Sequence, residues 1–282
     1  MTDEKSRQPQ IDPAEENAFF PPAYSLSEFT RPVSDLSAAE YPQRARPGMK
    51  ILVIAADERY LPMDNGTLFS TGNHPVETLL PMYHLHQAGF GFDIATVSGM
   101  MTKFEFWAMP HQDEKIVPFF GLYQAQFRSP KKLSEVVAGL GADSEYAGVF
   151  IPGGHGALIG LPESEDVARA LRWAMGSDRF VISICHGPAA FLSLRGGDNP
   201  LSGYAICVFP DAADKQTPDI GYMPGSLTWF FGEELKAMGM TLVNDDIKGS
   251  VYKDRKVLTG DSPFAANALG QLAAKELLAH FG

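Results

Sequence analysis

The sequence predicts an α/β fold: a mainly parallel sheet with helices on both faces and a smaller accessory lobe. Three observations carry this expectation. Short apolar, β-branched runs alternate with helix-periodic segments along most of the chain. The runs are almost continuously apolar, as strands covered on both faces must be. The chain has 282 residues, 45% hydrophobic and 20% charged, enough to bury one large core.

Residues 1–48 are rich in Pro, Ser and charge. They are expected to form an N-terminal arm, anchored by Phe19, Phe20 and Tyr24, that contributes to the accessory lobe. The first ten residues read as a tail. Residues 49–282 then form the core. A strand is expected over 50–57, a helix over 75–89 despite Pro81, and a strand over 92–97. Residues 99–132 break the rhythm with Phe104, Phe106, Trp107, Phe119 and Phe120. A structureless loop of that length is rare in a compact domain, so this stretch is expected to be an inserted lobe segment. Helices follow at 133–140 and 165–175, with a strand at 147–151 between them. The Phe180–Ile184 strand leads into a helix at 189–195. A strand over 204–209, a helix over 227–238 and extended chain at 241–244 and 257–259 come next. The last helix should start with Ser262 as N-cap and Pro263 at its first position.

The net charge of −11 argues against electrostatic capture of DNA or RNA polymers and of anionic membranes. Two cysteines make no disulfide framework. Met1–Gln8 has mixed charge and no apolar stretch, so no secretory signal is expected and the cytoplasm is the expected compartment. No apolar run approaches the ~18–20 residues that span a bilayer.

The chemistry concentrates at Cys185-His186-Gly187-Pro188, where a buried strand meets a helix start. Glycine permits the sharp bend, and proline suits a first helical turn. This is the geometry of a nucleophile elbow, with Cys in place of Ser. A free thiol has a pKa near ~8.5, and a helix N-terminus lowers it, so Cys185 is expected to ionise near neutrality. A buried structural cysteine is the plainer alternative, and it is the reading for Cys207, which lies within an apolar run.

Ligands bind beyond the carboxyl ends of strands in open α/β sheets, and three segments should reach that edge. Pro152-Gly153-Gly154-His155-Gly156 follows a strand, and Gly153 and Gly154 could turn backbone N–H groups toward an oxyanion. Asp211 and Asp214 are equal candidates for an acid that orients His186. Glu77 falls in the first turn of a helix, where the macrodipole alone explains an acid. His84 and His86 lie two apart, a poor spacing for one helical face, and neither HExxH nor CxxC occurs.

These residues resemble the ThiJ/PfpI superfamily, and most nearly its HchA-type branch of heat-inducible chaperones and glutathione-independent glyoxalases. Phe69-Ser70-Thr71-Gly72-Asn73-His74-Pro75, the stretch 211–218 and the stretch 258–263 carry the branch-specific likeness, which covers nearly the whole chain. The resemblance implies a flavodoxin-like core and a homodimer. It implies Cys185 as nucleophile, His186 and Asp214 completing a triad-like set, and Glu77 as acid/base. It selects Asp214 over Asp211. It also implies conversion of methylglyoxal to lactate, deglycation of protein and nucleotide adducts, and holding of unfolded client proteins. Small α-oxoaldehydes and glycated amines or thiols are the implied substrates. A holdase without important catalysis, or an amidase or peptidase using the same cysteine, are the competing readings. The branch's zinc site needs two His and one Glu, and here His86, Gly91 and Tyr123 stand at those positions. No cofactor or metal is therefore expected to be required.

Overall fold

The computed structural model describes residues 5–282, so the first four residues of the expected arm and tail lie outside the described residues. A seven-stranded sheet organises the chain. Its order is Val251–Asp254, Val257–Gly260, Phe180–Ile184, Tyr146–Ile151, Lys50–Ile54, Gly91–Thr96 and Lys131–Lys132. Every neighbouring pair is parallel except the hairpin of the first two strands. The five inner strands read as apolar runs because helices cover both of their faces. Ile51, Val53 and Ile182 face one apolar core, and Leu52, Ile54, Val149 and Val181 face the other.

The Pro75–Gln87 and Ala266–Phe281 helices pack against each other over the first core. Pro81 lies inside the former, which stays helical because tertiary packing overrides local preference. The Glu165–Gly176 helix covers the second core; Ser164 caps it by accepting from the Val167 N–H, and Glu165 and Asp166 sit in its first turn.

A second, four-stranded sheet has the order Gln10–Ile11, Ala18–Phe20, Leu68–Ser70 and Tyr60–Pro62. The arm thus pairs with residues 60–70, Ala18 lying opposite Leu68. The stretch 99–132 contributes the Ile116–Arg128 helix, which buries Ile116, Phe119, Tyr123 and Phe127 beside Pro75–Gln87. Asp113 ties this segment to the arm by accepting from the Ser34 N–H. No helix among the described residues is long and apolar enough to cross a membrane.

Some elements differ from the sequence reading. The run after the elbow is a tighter 3-10 helix, Gly187–Leu194. The strand expected over 204–209 reduces to Ala205–Ile206, and the helix expected from 227 begins at Phe231. Ser262 does not cap the last helix with its side chain; its hydroxyl donates to Asp261 instead.

Candidate active site

Cys185 stands at the end of its strand with φ +58°, a left-handed conformation that a side chain adopts only under constraint. Two backbone bonds impose it: the Cys185 N–H donates to the Gly260 carbonyl at 2.8 Å, and its carbonyl accepts from the Phe209 N–H at 3.0 Å. The sulfur is buried but lines a cavity of about 370 Å³. Cys207 is fully buried in the core, its thiol bonded to the Thr259 carbonyl.

A hydrogen-bonded chain leads away from the sulfur. Cys185 Sγ lies 3.2 Å from His186 Nδ1, and His186 Nε2 lies 2.8 Å from Asp214 Oδ2. With Nε2 donating to the carboxylate, Nδ1 is left as the acceptor facing the thiol. The Phe209 ring stacks on His186 and fixes its plane. Burial alone would raise the Asp214 carboxyl, but the His186 and His155 imidazoles outweigh it and hold Asp214 well below the usual carboxylate range. Asp211 has another task. Its two oxygens accept from the Gly232 and Glu233 N–H groups at the start of the Phe231–Ala237 helix. It is a helix cap, and the two loop acids are thereby told apart.

Glu77 is fully buried close to Cys185. A Cβ added at Gly153 would fall 2.2 Å from Glu77 Oε2 and 2.7 Å from Cys185 Cβ, so the carboxyl and the thiol crowd onto that glycine together. Gly154 has φ +97°, and a side chain there would strike the Gly72 carbonyl at 2.4 Å. Neither carboxyl oxygen of Glu77 has a hydrogen-bond partner of good geometry. Burial pushes its pKa well above the ordinary value; the adjacent Cys185 thiol and Gly154 N–H only soften this, while Glu105 and Asp261 add to it.

The thiol departs from the sequence expectation. Burial, then Glu77 and Asp214, push Cys185 well above the ordinary thiol value, and the Gly154 N–H opposes them weakly. The start of a short 3-10 helix does not offset burial in a low-dielectric site. Burial favours the protonated thiol, and His186 Nδ1 is within reach to act as its base.

His155, which the sequence reading left as part of a glycine turn, belongs to the same network. Its Nε2 lies 3.1 Å from Asp214 Oδ1, and its Nδ1 lies 4.0 Å from Glu105 Oε1. Asp214 is therefore shared by two imidazoles. Glu105 is buried and accepts from Thr71 Oγ1 at 2.6 Å; burial raises its pKa. The pattern HG in a glycine loop gives no local sign of this, because the partner is 59 residues away.

The ligand atoms of His155, His186 and Asp214 all lie within 4.8 Å of one another, a set that could hold a metal ion. The positions of the branch's zinc site do not fit one. His86 Nδ1 is 2.8 Å from the Tyr123 hydroxyl, Gly91 offers no ligand, and burial pushes the Tyr123 phenol up to about 12, leaving it neutral.

No family model matches the chain. Its sequence is 73% identical over 281 residues to the protein/nucleic acid deglycase HchA of Escherichia coli O1:K1, covering 100% of this chain and 99% of that one. The chain belongs to the HchA family. The homologous protein of Escherichia coli O139:H28 is 72% identical with the same coverage. Among solved structures, glyoxalase III from Candida albicans aligns with a TM-score of 0.64 at 19% identity, covering 83% of this chain and 98% of that one. The Rapid Encystment Protein of Francisella tularensis aligns with a TM-score of 0.66 at 18% identity over 81% of this chain and 99% of that one. These two likenesses are of fold, the flavodoxin-like architecture of DJ-1/ThiJ/PfpI proteins.

Proposed function

We propose that this member of the HchA family is a cysteine-dependent enzyme that converts methylglyoxal to lactate without glutathione and removes early glycation adducts from proteins and nucleotides. One observation carries the reading: Cys185 lines a cavity in contact with a base chain, His186 and Asp214, and close to a separate buried acid, Glu77. The two proton carriers suit the two proton transfers that the reaction requires.

Cys185 Sγ adds to the aldehyde carbon while its proton passes to His186 Nδ1, and the new alkoxide takes a proton to give a hemithioacetal. Glu77, in its ionised form, removes the proton on that carbon, giving an enediol. It returns the proton to the neighbouring carbon, leaving a thioester. Water hydrolyses the thioester to the 2-hydroxy acid and frees the thiol. From a hemiaminal or hemithioacetal adduct, the sulfur displaces the amine or thiol and the same sequence follows. The Gly154 N–H, which faces the sulfur, is positioned to favour a developing oxyanion, with Gly153 as its neighbour in the same turn. The thiol supplies the covalent chemistry, so no cofactor enters the proposal. The His155 and His186 rings lie 4.0 Å apart, each directed at a different oxygen of Asp214, which supports a hydrogen-bond relay there.

The curated relatives are named for action on proteins and nucleic acids. With a net charge of −11, this chain would engage a nucleic-acid adduct through its modified base and not by capture of the polymer. A cytoplasmic homodimer with an arm over 1–48 and an inserted segment over 99–132 belongs to the same proposal. Exposed Met100, Met101, Phe106 and Leu122 favour a second, holding activity toward unfolded clients. Lactate formation, peptide hydrolysis and suppression of client aggregation, measured on wild type and Cys185→Ala, test the proposal. Lactate formation lost in Cys185→Ala, with aggregation suppression kept and no peptidase activity in either protein, is the expected result. Lactate formation by a well-folded Cys185→Ala protein would refute it.

A further inference from the structure

The cavity in front of Cys185 is walled by aromatic and aliphatic side chains, among them Phe29, Phe209, Ile220, Tyr222 and Phe264. None of the described residues that line it is Lys or Arg. Its ionisable groups are three imidazoles, the Cys185 thiol, the Tyr222 phenol and the acids Glu77 and Glu105, with the Asp214 carboxylate directly behind. His74 adds no positive charge, since burial presses its pKa down to about 3. Among the buried polar atoms that are unpartnered and that the mechanism does not use are His74 Nδ1, Glu105 Oε2 and Trp107 Nε1. All three residues face this cavity. Acids also border the wall, with Glu28 beside Phe29, Asp219 beside Ile220 and Asp246 beside Ile247, and Lys215, beside Gln216, lies over the Phe230 ring. Lys248, next to Ile247, is paired with Asp246.

We propose that this cavity selects by charge: it admits the uncharged dicarbonyl end of a substrate, hydrogen-bonded by Trp107 and Glu105, and rejects compact anionic oxoaldehydes. The substrate class rests on the functional reading above; the charge selectivity does not. A carboxylate that enters loses its hydration and meets no Lys or Arg among the described lining residues, while the His155 and His186 imidazoles already face Asp214. A ketone, an aldehyde hydrate or a neutral amide meets an N–H donor and a carboxyl group of either role. A nucleotide adduct fits the same rule when its base enters and its phosphates stay in water. The reaction itself turns a neutral substrate into a carboxylate, so the same field that excludes anionic substrates drives the product out.

Alkylation reads the selectivity without catalysis. Iodoacetamide and iodoacetate have nearly the same size and differ in charge. The ratio of their rates at Cys185, mapped by mass spectrometry, is divided by the ratio at the same cysteine in the urea-unfolded chain. The expected normalised ratio favours iodoacetamide by at least about tenfold, equivalent to ~1.4 kcal/mol. Phe264 is 60% exposed at the cavity wall, so Phe264→Lys should fold and should move the ratio back toward iodoacetate; Gln216→Lys is the second variant. The substrate arm compares γ,δ-dioxovalerate with its primary amide, and kcat/KM should favour the amide in the same sense. A normalised alkylation ratio near one, or one that a wall lysine leaves unmoved, would overturn the proposal. An intact alkylation preference without turnover of methylglyoxal or the amide would uphold the charge selectivity and sink the functional reading.

Discussion

Gly153→Ala tests the crowding around the thiol with the smallest possible change. The new methyl carbon would lie 2.2 Å from Glu77 Oε2, 2.6 Å from the Ile184 carbonyl oxygen and 2.7 Å from Cys185 Cβ. Ordinary contacts to such atoms exceed 3.4 Å, so each overlap is more than half an ångström. The Glu77 carboxyl can swing aside, but the Ile184 carbonyl is backbone of the elbow and Cys185 Cβ is bonded directly to it through Cα. Overpacking of this kind costs about 1–3 kcal/mol. For a chain of this size each kcal/mol lowers Tm by roughly 2–4 °C. Activity should fall further than stability does. Displacing Glu77 and the sulfur by about 1 Å from their working positions costs on the order of 10²-fold in rate. Gly121→Ala is the control: it lies in the Ile116–Arg128 helix with nothing within 4 Å of the added carbon. It should leave turnover alone and gain about 0.5–1 kcal/mol from helix preference. Calorimetry and methylglyoxal turnover on both variants decide the matter. A Gly153→Ala protein with wild-type Tm and turnover would show that the glycine is a mere turn and that the carboxyl and thiol are not held as described.

Glu77→Gln should abolish most turnover while raising stability at neutral and alkaline pH, since the amide keeps the shape and removes a buried, unpartnered acid. The sign follows from its raised pKa. Ionisation of Glu77 opposes folding, so wild-type stability should fall as pH rises from the unfolded carboxyl value of ~4.3 toward the folded one. The gap between variant and wild type in urea unfolding should widen over that range; a gap independent of pH would contradict the burial argument. His155→Asn should leave one Asp214 oxygen short of its donor and raise the Asp214 pKa, moving the acid limb of the kcat/KM profile upward. An unchanged acid limb would reduce His155 to a packing residue.

Much of this was legible in the residues. The inner strands announce themselves because both faces are covered and the runs are apolar throughout, as in Phe180–Ile184. The elbow is legible because strand, glycine and proline adjoin it. What the sequence leaves open depends on partners distant along the chain. Asp211 and Asp214 look alike until Gly232 and Glu233 are seen to bond the first and His186 the second. His155 gives no signal because its role lies in the other oxygen of Asp214. The arm's pairing with 68–70 joins two short segments without strong alternation. The thiol's raised pKa could not be foreseen from a helix start, because it comes first from burial and then from Glu77, more than a hundred residues earlier.

The central claim is that Cys185 forms the bond to the aldehyde carbon and that Glu77 acts only afterwards. Carbon-13 NMR of the Glu77→Gln protein mixed with methylglyoxal labelled at the aldehyde carbon tests it directly. The account predicts a stoichiometric hemithioacetal carbon that persists without turning into lactate and is absent in the Glu77→Gln, Cys185→Ala double variant. Free methylglyoxal hydrate alone in the Glu77→Gln sample, or lactate formed at the wild-type rate, would contradict it.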